Sequence, residues 1–213
     1  MDLADRAVAL YGRFSPGVRD RMLAEIVRRG GSVSRDLTRR SDRLVIGASA
    51  SALIDSGALG VRLHAAYERG LPVRGERAFA AELAGEDIAR DAALPLATGL
   101  AGTALTRTDV EVLAAFDLVV LDGAHCRFGD ASVFRTASEL IGAGRSRADV
   151  VRILARARDL APRGRHRIVL TGAGEAALEW DDGLTSLEGQ GLLPLDEAQA
   201  SVDDLFEAAA IAE

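Results

Sequence analysis

The side chains that could do chemistry here are mostly of one kind. All 26 basic residues are arginine, and neither lysine nor asparagine occurs, a bias that fits codon usage in a GC-rich genome. Without lysine there is no Walker P-loop, no lysine Schiff base and no adenylated lysine. The single cysteine, Cys126, and the three histidines, His64, His125 and His166, fall in no metal-ligand spacing, so neither a metal nor another cofactor is expected. One cysteine cannot build an intrachain disulfide framework, which fits a reducing cytoplasm. Two motif fragments remain. Gly172-Ala173-Gly174-Glu175-Ala176-Ala177 after Ile168-Val169-Leu170 fits G-x-G-x-x-A, but Trp180-Asp181-Asp182-Gly183 interrupts before a helix could follow, so a hairpin turn is expected. Gly47-Ala48-Ser49-Ala50-Ser51 misses the nucleophile elbow at its last place, and no His–acid pair stands near it. No catalytic constellation emerges, and the expectation is a non-enzyme.

Charge is distributed unevenly. Residues 1–84 carry 14 Arg against 10 acids, residues 85–160 carry 9 against 11, and residues 161–213 carry 3 against 11, within a net −6. Such a balance argues against bulk DNA wrapping but permits a local basic face. Arg13, Arg39 and Arg40 fit either a sequence-blind phosphate surface or ordinary solvated arginines. No apolar run approaches the roughly 20 residues of a membrane span, and the N-terminus lacks a signal-peptide core, so a cytoplasmic protein is expected.

The elements that must position these groups follow from periodicity. Residues 6–12 read as a buried strand. Val18, Met22, Ile26 and Val27 lie on one helical face, and Gly30-Gly31 stops that helix. Ser32–Ser34 and Leu44–Ile46 read as strands around a polar turn holding Arg39 and Arg40. Leu59–Arg69 is helical, Pro72-Val73 extended, and Glu76–Leu83 helical again. Strands alternating with helices predict a small parallel sheet flanked by helices. Residues 85–103 are weakly patterned, a linker with one short helix over Glu86–Ala93. Thr106-Arg107-Thr108-Asp109 has the form of a capping box. The runs Leu118–Leu121 and His125–Phe128 around Asp122-Gly123 predict a hairpin. Asp130 caps a helix ending at Gly142-Ala143-Gly144, and Ser146 opens another. Strands over 167–170 and 177–180 and a helix over 196–211 complete the pattern; that last helix has the look of a lead-in to tetratricopeptide-like repeats, cut off at Glu213, which would make the chain a fragment.

Within residues 6–84, several pieces in order carry a resemblance: Val8-Ala9-Leu10-Tyr11-Gly12, the Gly30-Gly31 helix stop, Arg39-Arg40-Ser41-Asp42-Arg43-Leu44-Val45-Ile46-Gly47, and Ala65-Ala66-Tyr67-Glu68-Arg69-Gly70-Leu71-Pro72-Val73 followed by Glu76 and Phe79. This segment resembles a BRCT domain of the kind that ends bacterial NAD-dependent DNA ligases. The resemblance implies a parallel four-stranded sheet flanked by helices, with no ligase activity, since the lysine is missing. BRCT domains that bind phosphate use a Ser or Thr after the first strand and a Lys on the second helix. The matching positions are Tyr11 and Arg62, of which Arg62 keeps a bidentate fork while Tyr11 replaces a small hydroxyl.

Over residues 104–158, Gly123-Ala124-His125-Cys126-Arg127-Phe128-Gly129-Asp130 and Glu139-Leu140-Ile141-Gly142-Ala143-Gly144-Arg145-Ser146, with Val150 to Leu154, resemble the winged helix-turn-helix of MerR-type regulators. The resemblance implies an α+β winged-helix domain whose helix before the wing, carrying Arg107 and Thr108, reads bases, with His125 and Arg127 on the wing and Arg135 behind it holding backbone phosphates. Two acids on that helix, Asp109 and Glu111, repel phosphate. Arg127 equally fits a salt bridge to Asp130, His125 an ordinary surface position, and Cys126 an inward-packed apolar one. The long dimerising helix of that family does not appear between Arg158 and His166. The expected organisation is a BRCT-like domain (1–84), a linker (85–103), a winged helix (104–160), a β-rich extension (161–195) and a C-terminal helix (196–213). The expected function is DNA-binding regulation, with double-stranded DNA as partner of the winged helix and the BRCT-like domain supplying either a protein-partner contact or further DNA-phosphate contacts. The alternative is a protein–protein adaptor whose winged helix no longer binds DNA.

Overall fold

The computed structural model describes residues 2–88, 91–160, 167–171, 175–180 and 183–192. By its contacts the chain divides into two compact units, Met1–Arg156 and Ala157–Glu213. The expected C-terminal helix over 196–211 lies outside the described residues.

In the first unit β1 (Ala7–Tyr11) leads into α1 (Val18–Arg28), then β2 (Ser32–Ser34), β3 (Arg43–Ile46), α2 (Ala52–Asp55), α3 (Ala58–Glu68), β4 (Val73–Gly75) and α4 (Glu76–Ala84). The four strands form one parallel sheet in the order β2-β1-β3-β4. Alternation along the strands sends Val8, Leu10 and Val45 into a core with Met22 and Ile26 of α1 and Phe79 and Leu83 of α4. Ala9, Leu44 and Ile46 face the other way, the side on which α3 buries Leu59, Leu63 and Ala66. The α/β sheet flanked by helices therefore stands as the sequence pattern requires. Helix α1 ends as its glycines demand: the Gly31 amide donates to the Ile26 carbonyl (2.9 Å) and the Gly30 amide to that of Val27 (3.0 Å), with Gly30 at φ 79°.

Past α4 the structure departs from the pattern. Among the described part of residues 86–93 there is no helix; instead β5 (Leu94–Pro95) and α5 (Leu96–Gly99) follow. That stretch has one large apolar residue, Ile88, and so offers no stripe to bury, whereas Leu94 gains a ladder partner in Cys126. Next come α6 (Arg107–Ala115), β6 (Leu121–Asp122), β7 (His125–Cys126), α7 (Asp130–Gly142) and α8 (Arg147–Leu160), with an antiparallel sheet ordered β5-β7-β6. The capping box is present: the Asp109 amide donates to the Thr106 hydroxyl (3.2 Å) and the Thr106 amide to the Asp109 carboxylate (2.8 Å).

The hairpin is shorter than its apolar runs suggest, and its two-residue loop is Gly123-Ala124 rather than Asp122-Gly123. The C-terminus of α6 claims Leu118, whose amide donates to the Leu113 carbonyl (3.0 Å) while Asp117 adopts the left-handed conformation at φ 58°. Asp130 does not cap α7 with its side chain. Its buried carboxylate accepts instead from the Val120 amide (3.0 Å) and the Arg127 amide (2.9 Å), pinning both arms of the hairpin.

The second unit is an antiparallel sheet ordered β11-β10-β9-β8, made of β8 (Arg167–Leu170), β9 (Ala176–Trp180), β10 (Gly183–Ser186) and β11 (Gly191–Leu192). Residues 172–174 of the glycine fingerprint lie outside the described residues; on either side of them β8 and β9 pair antiparallel, with the Thr171 amide on the Glu175 carbonyl (2.8 Å), and Ala176–Trp180 is a strand where the fingerprint requires a helix. Among the described residues no helix is long and apolar enough to cross a membrane.

One junction joins the parallel sheet to the segment that follows it. The Asp117 carboxylate accepts from the amides of Arg77 (2.7 Å) and Ala78 (3.2 Å) in the first turn of α4, and it lies where a Cβ on Gly75 would stand. Gly75 has ordinary extended backbone (φ −77°), so only this approach excludes a side chain. Gly75→Ala is therefore expected to lower stability by about 2 kcal/mol or more in urea melts, and by less than about 1 kcal/mol in an Asp117→Ala background. Equal costs in the two backgrounds would refute the coupling.

Candidate functional site

Open parallel sheets bind ligands outside the carboxyl ends of the strands, where the strand order reverses. Here that point lies between β1 and β3. The two loops that frame it touch: a Cβ on Gly12 (φ 86°) would collide with Ala50, and one on Gly47 with the Arg13 carbonyl. Between them sits Glu76, only 4% exposed, whose carboxylate accepts from the Ser15 amide (3.0 Å) and the Ala48 amide (2.9 Å). Backbone amides at such a crevice are what a bound anion would use, and the chain's own carboxylate already uses them.

The structure does bring Tyr11 and Arg62 together. The guanidinium stands over the phenol ring at 4.9 Å, while its fork engages the Asp36 carboxylate (2.9 Å) and the Ala58 carbonyl (3.2 Å). The hydrogen bond from Arg62 holds the Asp36 carboxyl below its usual range. An incoming phosphate would have to displace Asp36. Arg13 is exposed beside this edge, after β1, whereas Arg39 and Arg40 are exposed in the loop entering β3, at the opposite end of the sheet. Arg69 ties that loop down through the carbonyls of Thr38 (2.8 Å), Arg39 (3.2 Å) and Ser41 (2.8 Å). The four arginines named as phosphate donors thus do not share one surface.

The helix expected to read bases is α6. Arg107 and Thr108 are exposed at its start, with Arg107 paired to Glu111 (2.8 Å). One face of α6 buries Val110 and Leu113. The helix also contacts α3 and β4, and the Glu111 side chain is left only 14% exposed. Burial, with the Glu111 charge nearby, pushes the Tyr67 phenol of α3 up to about 12. A groove-reading helix must leave its outer face free, and α6 spends much of that face on the sheet.

On the hairpin, His125 is exposed and Cys126 is buried, with its thiol raised by burial and then by Asp130. Arg127 turns inward: its guanidinium donates to the Ile88 carbonyl, its Nε is buried without a hydrogen-bond partner, and it makes no salt bridge to Asp130. Arg135 is exposed on α7. Phe128, beyond the hairpin, is 83% exposed. Among the described residues no group of three His, Cys, Asp or Glu could hold a metal ion.

Sequence reasoning missed Glu76, Asp117, Glu82 and Arg147 as organisers. Glu82 binds both Arg43 and Arg74, and Arg147 at the start of α8 pairs with Asp109 at the start of α6. The signals were indirect: Glu76 stood among the residues that carry the BRCT resemblance, and Asp109 replaces the usual Glu of a capping box, a carboxylate that Arg147 reaches in the fold.

Two consequences are measurable. Both amides on Asp130 use the same oxygen, which an amide oxygen can replace, and burial raises the Asp130 carboxyl. Asp130→Asn should therefore be neutral or stabilising, whereas Asp130→Ala strands two amides and should cost about 2–3 kcal/mol in chemical denaturation. Comparable losses in both variants would contradict this. For Asp109, burial alone would raise the carboxyl, but Arg147 and Thr106 outweigh it and hold the group low. A lowered folded value means stability that is complete above the unfolded value of about 4 and lost as pH falls through the folded one. Thermal melts between pH 7 and pH 2 should show a steeper acid loss for the wild type than for Asp109→Asn, and parallel curves would refute the assignment. The chain matches no protein family, no curated protein and no solved structure.

Proposed function

We propose that this chain is a non-enzymatic cytoplasmic adaptor, in which a BRCT-like α/β domain is joined to a MerR-like winged helix that serves as a docking surface. The observation that carries this reading is the covered face of α6. With Glu111 14% exposed and α3 and β4 against it, the helix is committed to its own chain. Two further features support it. Arg127, the wing arginine, spends its guanidinium on the Ile88 carbonyl, and Arg62 spends its fork on Asp36. The order β5, α5, α6, β6, β7, α7, α8 speaks for the winged-helix resemblance, and the order β2-β1-β3-β4 for the BRCT-like one.

A second reading, DNA-binding regulation, is favoured by the exposure of Arg107, Thr108, His125 and Arg135 on the segment that would face a duplex. Fluorescence anisotropy with labelled duplex DNA, with and without a 5′-phosphate, separates the two across a salt series. The adaptor reading expects no binding tighter than about 10 µM at ~150 mM salt. Tighter binding that weakens steeply with salt, and that Arg107→Ala or Arg135→Ala reduces, would overturn it in favour of the DNA reading.

A further inference from the structure

Arg39 and Arg40 are the two central residues of a turn between β2 and β3, closed by the Ser41 amide on the Thr38 carbonyl (3.1 Å). Both are exposed, and neither side chain has a hydrogen-bond or ion-pair partner among the described residues. The turn beneath them is fastened from several sides. The Thr38 amide donates to the Ser41 hydroxyl (2.9 Å), and Ser41 is buried. From the end of α3, Arg69 holds the carbonyls of Thr38, Arg39 and Ser41. A backbone fixed in advance leaves less to order when a partner binds, so these two side chains sit on a prepared platform.

The acids of this loop are already engaged. Asp42 accepts from the Ala7 amide (2.8 Å) and from Arg6 (3.3 Å), and Asp36 from the Leu37 amide (2.7 Å) and Arg62 (2.9 Å). Arg69 bonds carbonyl oxygens, which carry no net charge, rather than a carboxylate. The loop and the side chains bonded to it thus hold six arginines, Arg6, Arg35, Arg39, Arg40, Arg62 and Arg69, against Asp36 and Asp42. Asp5 adjoins Arg6 and Glu68 adjoins Arg69, and with both counted the arginines still lead.

The size of this surplus separates the possible partners. Backbone binding of duplex DNA draws on a run of roughly 6–10 phosphate contacts, whereas this turn presents two unengaged guanidinium forks on a chain of net −6. Two neighbouring carboxylates suffice to fill two neighbouring forks. Deepening the adaptor reading, on which it rests, we propose that the turn at Arg39 and Arg40 docks an acidic segment of a partner protein.

The test uses the full chain and a labelled peptide of about ten residues built from Glu, Asp and Gly, read by fluorescence anisotropy. The control peptide carries Gln and Asn in place of the acids. The acidic peptide should bind at ~20 mM salt and lose at least about fivefold in affinity by ~200 mM, while the control does not bind. Arg39→Glu and Arg40→Glu should each weaken binding about fivefold. Arg13→Glu, the same change of charge at the opposite end of the sheet, should leave it within about twofold. All three positions are exposed, and circular dichroism checks that the fold is unchanged. An acidic peptide that does not bind at low salt would overturn the inference. So would equal weakening by all three variants, which would make the attraction one of net charge. Duplex DNA that binds the same turn more tightly than the peptide would overturn it too, in favour of a phosphate surface. The adaptor reading stands or falls separately, on duplex binding that depends on Arg107 or Arg135.

Discussion

The first turn of α4 is held by two carboxylates, and the arrangement around it follows from that. A helix begins with amides that lack intrahelical partners and a partial positive charge, so it draws acids. Glu76 lies inside, under the loops that leave β1 and β3, and ties the Ser15 and Ala48 amides together. Asp117 arrives from 40 residues further on and takes the amides of Arg77 and Ala78 over the bare backbone of Gly75. The same turn thus closes the carboxyl ends of β1 and β3 and fastens the following segment to the sheet.

This matters for function because the chain satisfies its own anion sites. The fork of Arg62 is filled by Asp36, Arg43 and Arg74 converge on Glu82, and Arg147 reaches Asp109. An arginine count alone would suggest a basic surface. Much of that guanidinium instead acts as internal cross-linking between elements, for which its planar fork is better suited than an ammonium. Each such pair takes an acid with its arginine, Glu82 serving two, so most of the excess of 14 Arg over 10 acids in the first 84 residues is carried by other arginines, among them the exposed Arg13, Arg39 and Arg40.

What the amino-acid order determined by itself is what depends on near neighbours. The parallel sheet and its helices follow from periods of two and 3.6 in the apolar residues, the end of α1 from Gly30-Gly31, and the start of α6 from Thr106 and Asp109 three residues apart. Each strand or helix pattern and each helix end is settled within a few residues, although the strands themselves pair across 25 residues or more. The short second sheet was less legible because β5, β6 and β7 are two residues each, too short for any period to register.

Tertiary structure alone decided the rest, because the partners involved are far apart in sequence and have no local signature. Arg127 looks like any wing arginine until Ile88, 39 residues earlier, offers it a carbonyl. Arg62 reads as a free phosphate donor until the chain brings Asp36 within 2.9 Å. In each case a polar group buried or half-buried by folding must find a partner, and the fold, not the neighbouring residues, determines which one is within reach.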